Sequence, residues 1–190
     1  GIPKYLNSPQ TDLFDKSHLL FGLDKAKRAV REARQAVIVE GYMDVMQAWQ
    51  HRFGTAPAQM DTTLTEQQLP LLRRHTKQFV LALDADAAGA KATLRSLQVA
   101  RETLDREVEA RFDARGLVQH EGRLQADIRV MTLPEGKDPD NIIQENPEVW
   151  EKLVTQAKPV VAYVIAVATA GLDLNDAKAK TAVAQQADLP

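Results

Sequence analysis

The chain has 190 residues, 44% of them hydrophobic, with 24 Lys and Arg against 26 Asp and Glu, a net charge of −2 and no cysteine. That length fits one domain, with or without appendages, around a sizeable core. The near-neutral balance excludes a protein that coats nucleic acid by overall charge, and the missing thiols exclude disulfides, a cysteine-bound zinc and a thiol nucleophile.

No stretch approaches the roughly 20 apolar residues of a membrane helix, and the N-terminus lacks a signal-peptide pattern. The abrupt Gly-Ile-Pro start and Leu-Pro end read as those of a piece of a longer chain. Residues 1–17 are polar, with turn chemistry around Asn7-Ser8-Pro9. From Leu19 to Arg34 the pattern predicts a helix, with Leu20, Leu23, Val30 and Ala33 apolar and Lys25, Lys27, Arg28, Arg31 and Arg34 basic. The basic face reads as solvated in preference to a nucleic-acid patch. Ala36-Val37-Ile38-Val39 is a β-branched run that predicts a buried parallel strand, ending at Glu40-Gly41. A helix is expected over Met43–Arg52, ending at Gly54.

A weak strand around Ala56–Met60 precedes Thr65 and Gln68, which have the spacing of a capping box. Phe79–Leu83 predicts a second strand running directly into Asp84, and the longest helix is expected over Ala88–Leu104. Val108, Ala110 and Phe112 alternate with charged residues, as do Leu124, Ala126, Ile128 and Val130. These predict a hairpin whose second arm runs on to Leu133. Beyond Asn141 the chain reads as helices broken at Pro147 and Pro159. Strands alternating with helices make an α/β fold with a mainly parallel central sheet.

Three acidic clusters stand where apolar segments end: Glu40 with Asp44, Asp84 with Asp86, and Asp138 with Asp140. Open α/β sheets bind ligands beyond the carboxyl ends of their strands, and hard divalent cations prefer oxygen ligands. Each cluster also has an ordinary reading. Asp138 followed by Pro139 suits a helix N-cap, Asp86 could cap the next helix, and Asp44 could be a first-turn acid. Three clusters on one edge would repel each other unless cations lay among them, which favours a metal site. His18, His51, His75 and His120 lack metal-ligand spacing.

Val37–Val45, with Glu40-Gly41-Tyr42-Met43-Asp44 at its centre, and Leu83–Gly89 resemble the Toprim domain, in the variant of bacterial DnaG-type DNA primases. Pro3–Pro9 with Phe14-Asp15-Lys16 resembles that family's segment before Toprim, and Leu133–Asp140 its third acidic motif. The resemblance implies a Toprim fold with an added β-hairpin and a C-terminal helical segment. It divides the chain into an N-terminal segment (1–34), a Toprim domain (35–145) and the start of a helical subdomain (146–190). It implies template-directed synthesis of short RNA primers on single-stranded DNA in the bacterial cytoplasm, at the replication fork, with no membrane partner. Glu40, Asp84 and Asp86 would be catalytic. Together with Asp138, Asp140 and nearby Asp44, they would hold two or more Mg²⁺ or Mn²⁺ ions. Lys4, Tyr5, Asn7 and Lys16 would contact template or nucleoside triphosphate.

Asp61, Ala85 and Ala90 depart from the family pattern. The family's zinc-binding domain, the first half of its polymerase core and its helicase-binding domain are not expected here, so the chain reads as the metal-holding portion of a polymerase, weakly active or inactive alone. The alternatives are a Toprim nuclease or topoisomerase piece using the same acids, and a non-catalytic module that binds metal and nucleic acid.

Overall fold

A computed structural model of the chain describes residues 9, 11–12, 14–59, 64–83, 110–112, 118–120, 126–134 and 136–169. At their centre is a four-stranded sheet of β1 (Ala36–Ile38), β2 (Gln78–Leu83), β5 (Asp127–Thr132) and β6 (Lys158–Pro159), in the order β1-β2-β5-β6. The first three strands run parallel, with Ile38 opposite Leu81 and Leu81 opposite Val130, while β6 is antiparallel to β5.

The helices are α1 (Leu23–Ala33), α2 (Tyr42–Gln50), α3 (Gln68–Arg73), α4 (Pro139–Glu145), α5 (Pro147–Thr155) and α6 (Val160–Thr169). Successive strand residues face opposite ways, and both faces are apolar. Ala36, Ile38, Phe79, Leu81, Ile128 and Val130 join Ala26 and Val30 of α1 and Leu69 and Leu72 of α3 in one core. Val37, Val80, Ala82 and Met131 join Val45 and Ala48 of α2, Ile142 and Ile143 of α4 and Trp150 of α5 in the other. Burial on two sides explains why the strands read as continuous apolar runs.

Helix α1 starts later than Leu19 because Gly22 before it has φ +78°, a left-handed conformation that favours glycine. A Cβ there would lie 3.0 Å from Val45 Cγ1, so this glycine also permits the close approach of α1 to α2. Pro147 occupies the first turn of α5 after Asn146, whose side chain accepts the Glu148 N–H, and Pro159 directly precedes α6.

The added hairpin is present, and what needs correction is its second arm. Its first arm, β3 (Ala110–Phe112), pairs antiparallel with β4 (Val118–His120) in a separate two-stranded sheet. Residues 127–132, expected as the second arm, instead form β5 in the central sheet, parallel to β2. Alternation identifies a strand with two unlike faces but is silent on its partner. The long helix expected over Ala88–Leu104 lies outside the described residues.

Candidate metal centre

Three connections meet the carboxyl edge of the sheet. Glu40 follows β1 and is half-buried, and Gly41 is the N-cap of α2. Strand β2 ends at Leu83, the residue before Asp84 in sequence, and Asp84 and Asp86 themselves lie outside the described residues. Strand β5 leads through Leu133 and Pro134 to Asp138, the N-cap of α4, with Pro139 in its first turn. The sequence expectation for that cap is met in its backbone, which is extended at φ −89° and ψ 158°, while the carboxylate makes no capping bond.

Asp44 ties two of these connections together. Its Oδ2 accepts the Gly41 N–H at 2.9 Å, which is half of a capping box, since glycine has no side chain to return the bond. Its Oδ1 accepts the N–H of Asp140, 96 residues away, at 3.1 Å. With only 8% of its surface exposed, this carboxylate lies between the N-termini of α2 and α4, where helix dipoles favour negative charge. Both oxygens serve backbone donors, so Asp44 fixes the turn holding Glu40 against the turn holding Asp138 and Asp140.

The remaining acids face outward. Asp138 is exposed and its carboxylate has no hydrogen bond among the described residues. Asp140 Oδ1 accepts the Asn141 N–H at 2.7 Å and the Asn141 amide at 3.0 Å. The neighbouring cation does not neutralise them, because Lys137 Nζ donates to both oxygens of Glu145, at 2.6 and 2.7 Å. Among the described residues no group of three or more His, Asp or Glu side chains forms a ready-made metal cage. The donor set of Glu40, Asp138 and Asp140 is all oxygen and partly open to solvent, which fits a Mg²⁺ or Mn²⁺ ion that keeps several waters.

Lys16 opens a short 3₁₀ turn, Lys16–His18, capped by Asp15. The Asp15 carboxylate accepts from the Ser17 hydroxyl at 2.6 Å and the Ser17 N–H at 2.9 Å. With a lesser contribution from His18, these bonds hold Asp15 below the usual carboxylate range. The turn is clamped from α3. Gln68 Nε2 donates to the carbonyls of Lys16 and Leu19 at 3.0 and 2.8 Å, and Thr65 Oγ1 donates to that of Ser17 at 2.6 Å. The same two residues complete the expected capping box, with Gln68 N–H on Thr65 Oγ1 at 3.2 Å and Thr65 N–H on Gln68 Oε1 at 3.1 Å. Further along, the Phe21 ring meets Tyr42 edge-on at 4.8 Å, which sets this segment beside the Glu40 turn.

Sequence reasoning found the box but not its second task, and it read Asp44 as a first-turn acid, which it is, without the tie to Asp140. Lys4, Tyr5, Asn7, Asp61, Ala85 and Ala90 lie outside the described residues.

Comparison with known proteins supplies further findings. A family model described as Toprim-like matches residues 37–143, and one for the N-terminal domain of the DNA primase catalytic core matches residues 1–27. A DNA primase of Synechococcus elongatus is 44% identical over 146 residues, which is 76% of this chain and 19% of that protein. A DNA primase domain from Pseudomonas aeruginosa superposes with a TM-score of 0.78 at 28% identity, over 98% of this chain and 53% of that one. A DnaG primase catalytic domain bound to single-stranded DNA gives 0.77 at 30% identity, over 97% and 54%. The chain thus spans about a fifth of the length of the curated relative and about half of the solved chains.

Proposed function

The chain belongs to the Toprim-like family, in the form carried by DnaG-type DNA primases, and on that premise we propose that it is the metal-holding part of a primase active site. In this reading residues 35–145 form the metal-binding domain, 1–34 the segment leading into it, and 146–190 the start of a helical subdomain. The whole protein would extend short RNA primers from nucleoside triphosphates on a single-stranded DNA template and meet a replicative helicase through another domain.

The observation that carries the reading is the tie made by Asp44, which holds two acidic connections on one sheet edge while leaving Asp138 and Asp140, among the described residues, without a neutralising cation. Glu40, Asp84, Asp86, Asp138 and Asp140 would hold Mg²⁺ or Mn²⁺. A bound ion supplies charge neutralisation for nucleotide phosphates and orientation for in-line displacement. The chain's own contribution is placement: Glu40 stands at a rigid strand end, within the reach a proton acceptor needs only if its turn is fixed. The clamp from Thr65 and Gln68 holds the Lys16 turn, from which Lys16 would reach template or triphosphate alongside Lys4, Tyr5 and Asn7.

Calorimetric titration with Mn²⁺ tests the metal site. Asp84→Asn/Asp86→Asn and Asp138→Asn/Asp140→Asn should each weaken binding at least about tenfold, because each removes charged oxygen ligands. Unchanged affinity in both pairs would sink the assignment. In a full-length primase carrying residues 1–190, Glu40→Gln should reduce primer synthesis to near background, and near-normal synthesis would remove Glu40 from catalysis.

A further inference from the structure

At the amino edge of the sheet, opposite the acids, two helices end side by side. Helix α1 closes on Arg34, which is left-handed at φ 54°, and α3 closes on Arg74. Thr76 Oγ1 donates to the Arg34 carbonyl at 2.5 Å and locks the two ends together. Arg31 Nε donates to His75 Nδ1 at 3.1 Å across the same junction. Lys77 leads into β2, and its carbonyl accepts the Asp127 N–H at 2.8 Å, which places it at the start of the neighbouring strand as well. Lys27, Arg28, Arg31, Arg34, Arg74 and Lys77 are all exposed there. The one acid within residues 27–34 and 74–77 is Glu32, and it pairs with Arg28 at 2.9 Å.

Cations at helix C-termini complement the dipole, but each dipole end amounts to only about half a charge. The excess is gathered around one imidazole. Burial first, then Arg31, Lys27 and Arg74, hold His75 below the ordinary histidine range. In accepting from Arg31, His75 offers an uncharged lone pair. It orients the guanidinium without cancelling its charge, as a carboxylate in that place would. Arginine's planar fork suits phosphate in this oriented state.

We propose that this amino edge is a second nucleic-acid contact surface, where Lys27, Arg31 and Arg74 hold phosphates of a single strand. It lies one strand length, roughly 20 Å, from the acidic edge. Contacts of this type position a strand without reading its bases. A strand held here would stay on the protein while chemistry proceeds at the other edge. The surface needs no metal and stands apart from the proposed polymerase role.

Anisotropy of a labelled single-stranded oligonucleotide, titrated with residues 1–190 in EDTA over a salt series, tests it. Lys27→Gln/Arg31→Gln/Arg74→Gln should weaken binding about tenfold or more near about 100 mM salt. It should also flatten the slope of log affinity against log salt by about 2, from three contacts at about 0.7 each. These side chains are exposed, so the fold should persist, and circular dichroism checks that it does. Lys152→Gln/Lys158→Gln removes exposed cations elsewhere and should change neither quantity. No binding by the unaltered chain, an unchanged slope in the triple variant, or an equal loss per charge in the control pair overturns the proposal. So does an acidic peptide that displaces the oligonucleotide at concentrations below those of unlabelled DNA, which would make this a protein-docking surface. Because EDTA removes divalent ions, failure here leaves the Mn²⁺ titration to decide the metal site separately.

Discussion

At the carboxyl edge of the sheet the chain enters helices, so α2 and α4 present their N-termini; at the amino edge α1 and α3 present their C-termini. Both edges place side chains that oppose the local dipole, acids at one and cations at the other. They differ in what the charges do. At the carboxyl edge Asp44 is buried and bonded to two backbone donors, so its charge is part of the fold. At the amino edge the cations are exposed, and exposed charges contribute little to stability. The contrast between Asp44 and these cations separates charge that builds the molecule from charge left over for a partner, as the exposed Asp138 also is.

The strongest way to break that contrast is Asp44→Ala. Two backbone N–H groups would lose their acceptor, at about 1–3 kcal/mol each, for a total near 3 kcal/mol. Thermal denaturation should show the midpoint falling by about 6–12 °C. Arg31→Ala at the other edge should stay within about 0.5 kcal/mol, and equal losses at both edges would refute the distinction.

Gln68→Leu tests the clamp that joins α3 to the Lys16 turn. Gln68 is fully buried and bonded to Lys16, Leu19 and Thr65. Its loss should cost about 2 kcal/mol in denaturant unfolding and speed amide exchange around residues 16–19. Unchanged exchange there would show that the turn holds itself.

The smallest effect concerns His75. An NMR titration should place its pKa below the ordinary value of about 6.5, and Arg31→Gln should move it upward by removing a nearby positive charge. Between the folded and unfolded pKa values the unfolded chain holds a proton that the folded chain lacks. Stability from this group therefore rises with pH through that window. The penalty is complete below the folded pKa and gone above the unfolded one. A normal pKa would dissolve the picture of three cations crowding one imidazole.

Much of the frame was legible in local patterns. Ala36–Val39 and Phe79–Leu83 read as buried strands, Thr65 with Gln68 as a capping box, and Asp138-Pro139 as a helix start. Each of those signals lies within a few residues. The features that escaped depend on distant partners. Asp44 meets Asp140 across 96 residues, and no spacing rule links them. Residues 127–132 alternate as a hairpin arm does, but their partner is β2, whose residues begin near position 78. The basic face of α1 read as merely solvated because the turn bringing Arg74 and His75 beside Arg31 is a matter of packing.

The two outer strands of the sheet bear on a different property. On one side β6 is only Lys158-Pro159, and proline offers no N–H to a further strand. On the other, β1 is covered by residues 55–59 through Val37 N–H to Thr55 O, Val39 N–H to Pro57 O and Gln59 N–H to Val39 O. That cover ends in a single bridge between Ala58 and Phe21. Among the described residues, neither border offers a long, flat row of unpaired backbone groups on which a second copy could add its own strand. An apolar sheet of this kind is thereby kept from growing sideways into aggregates.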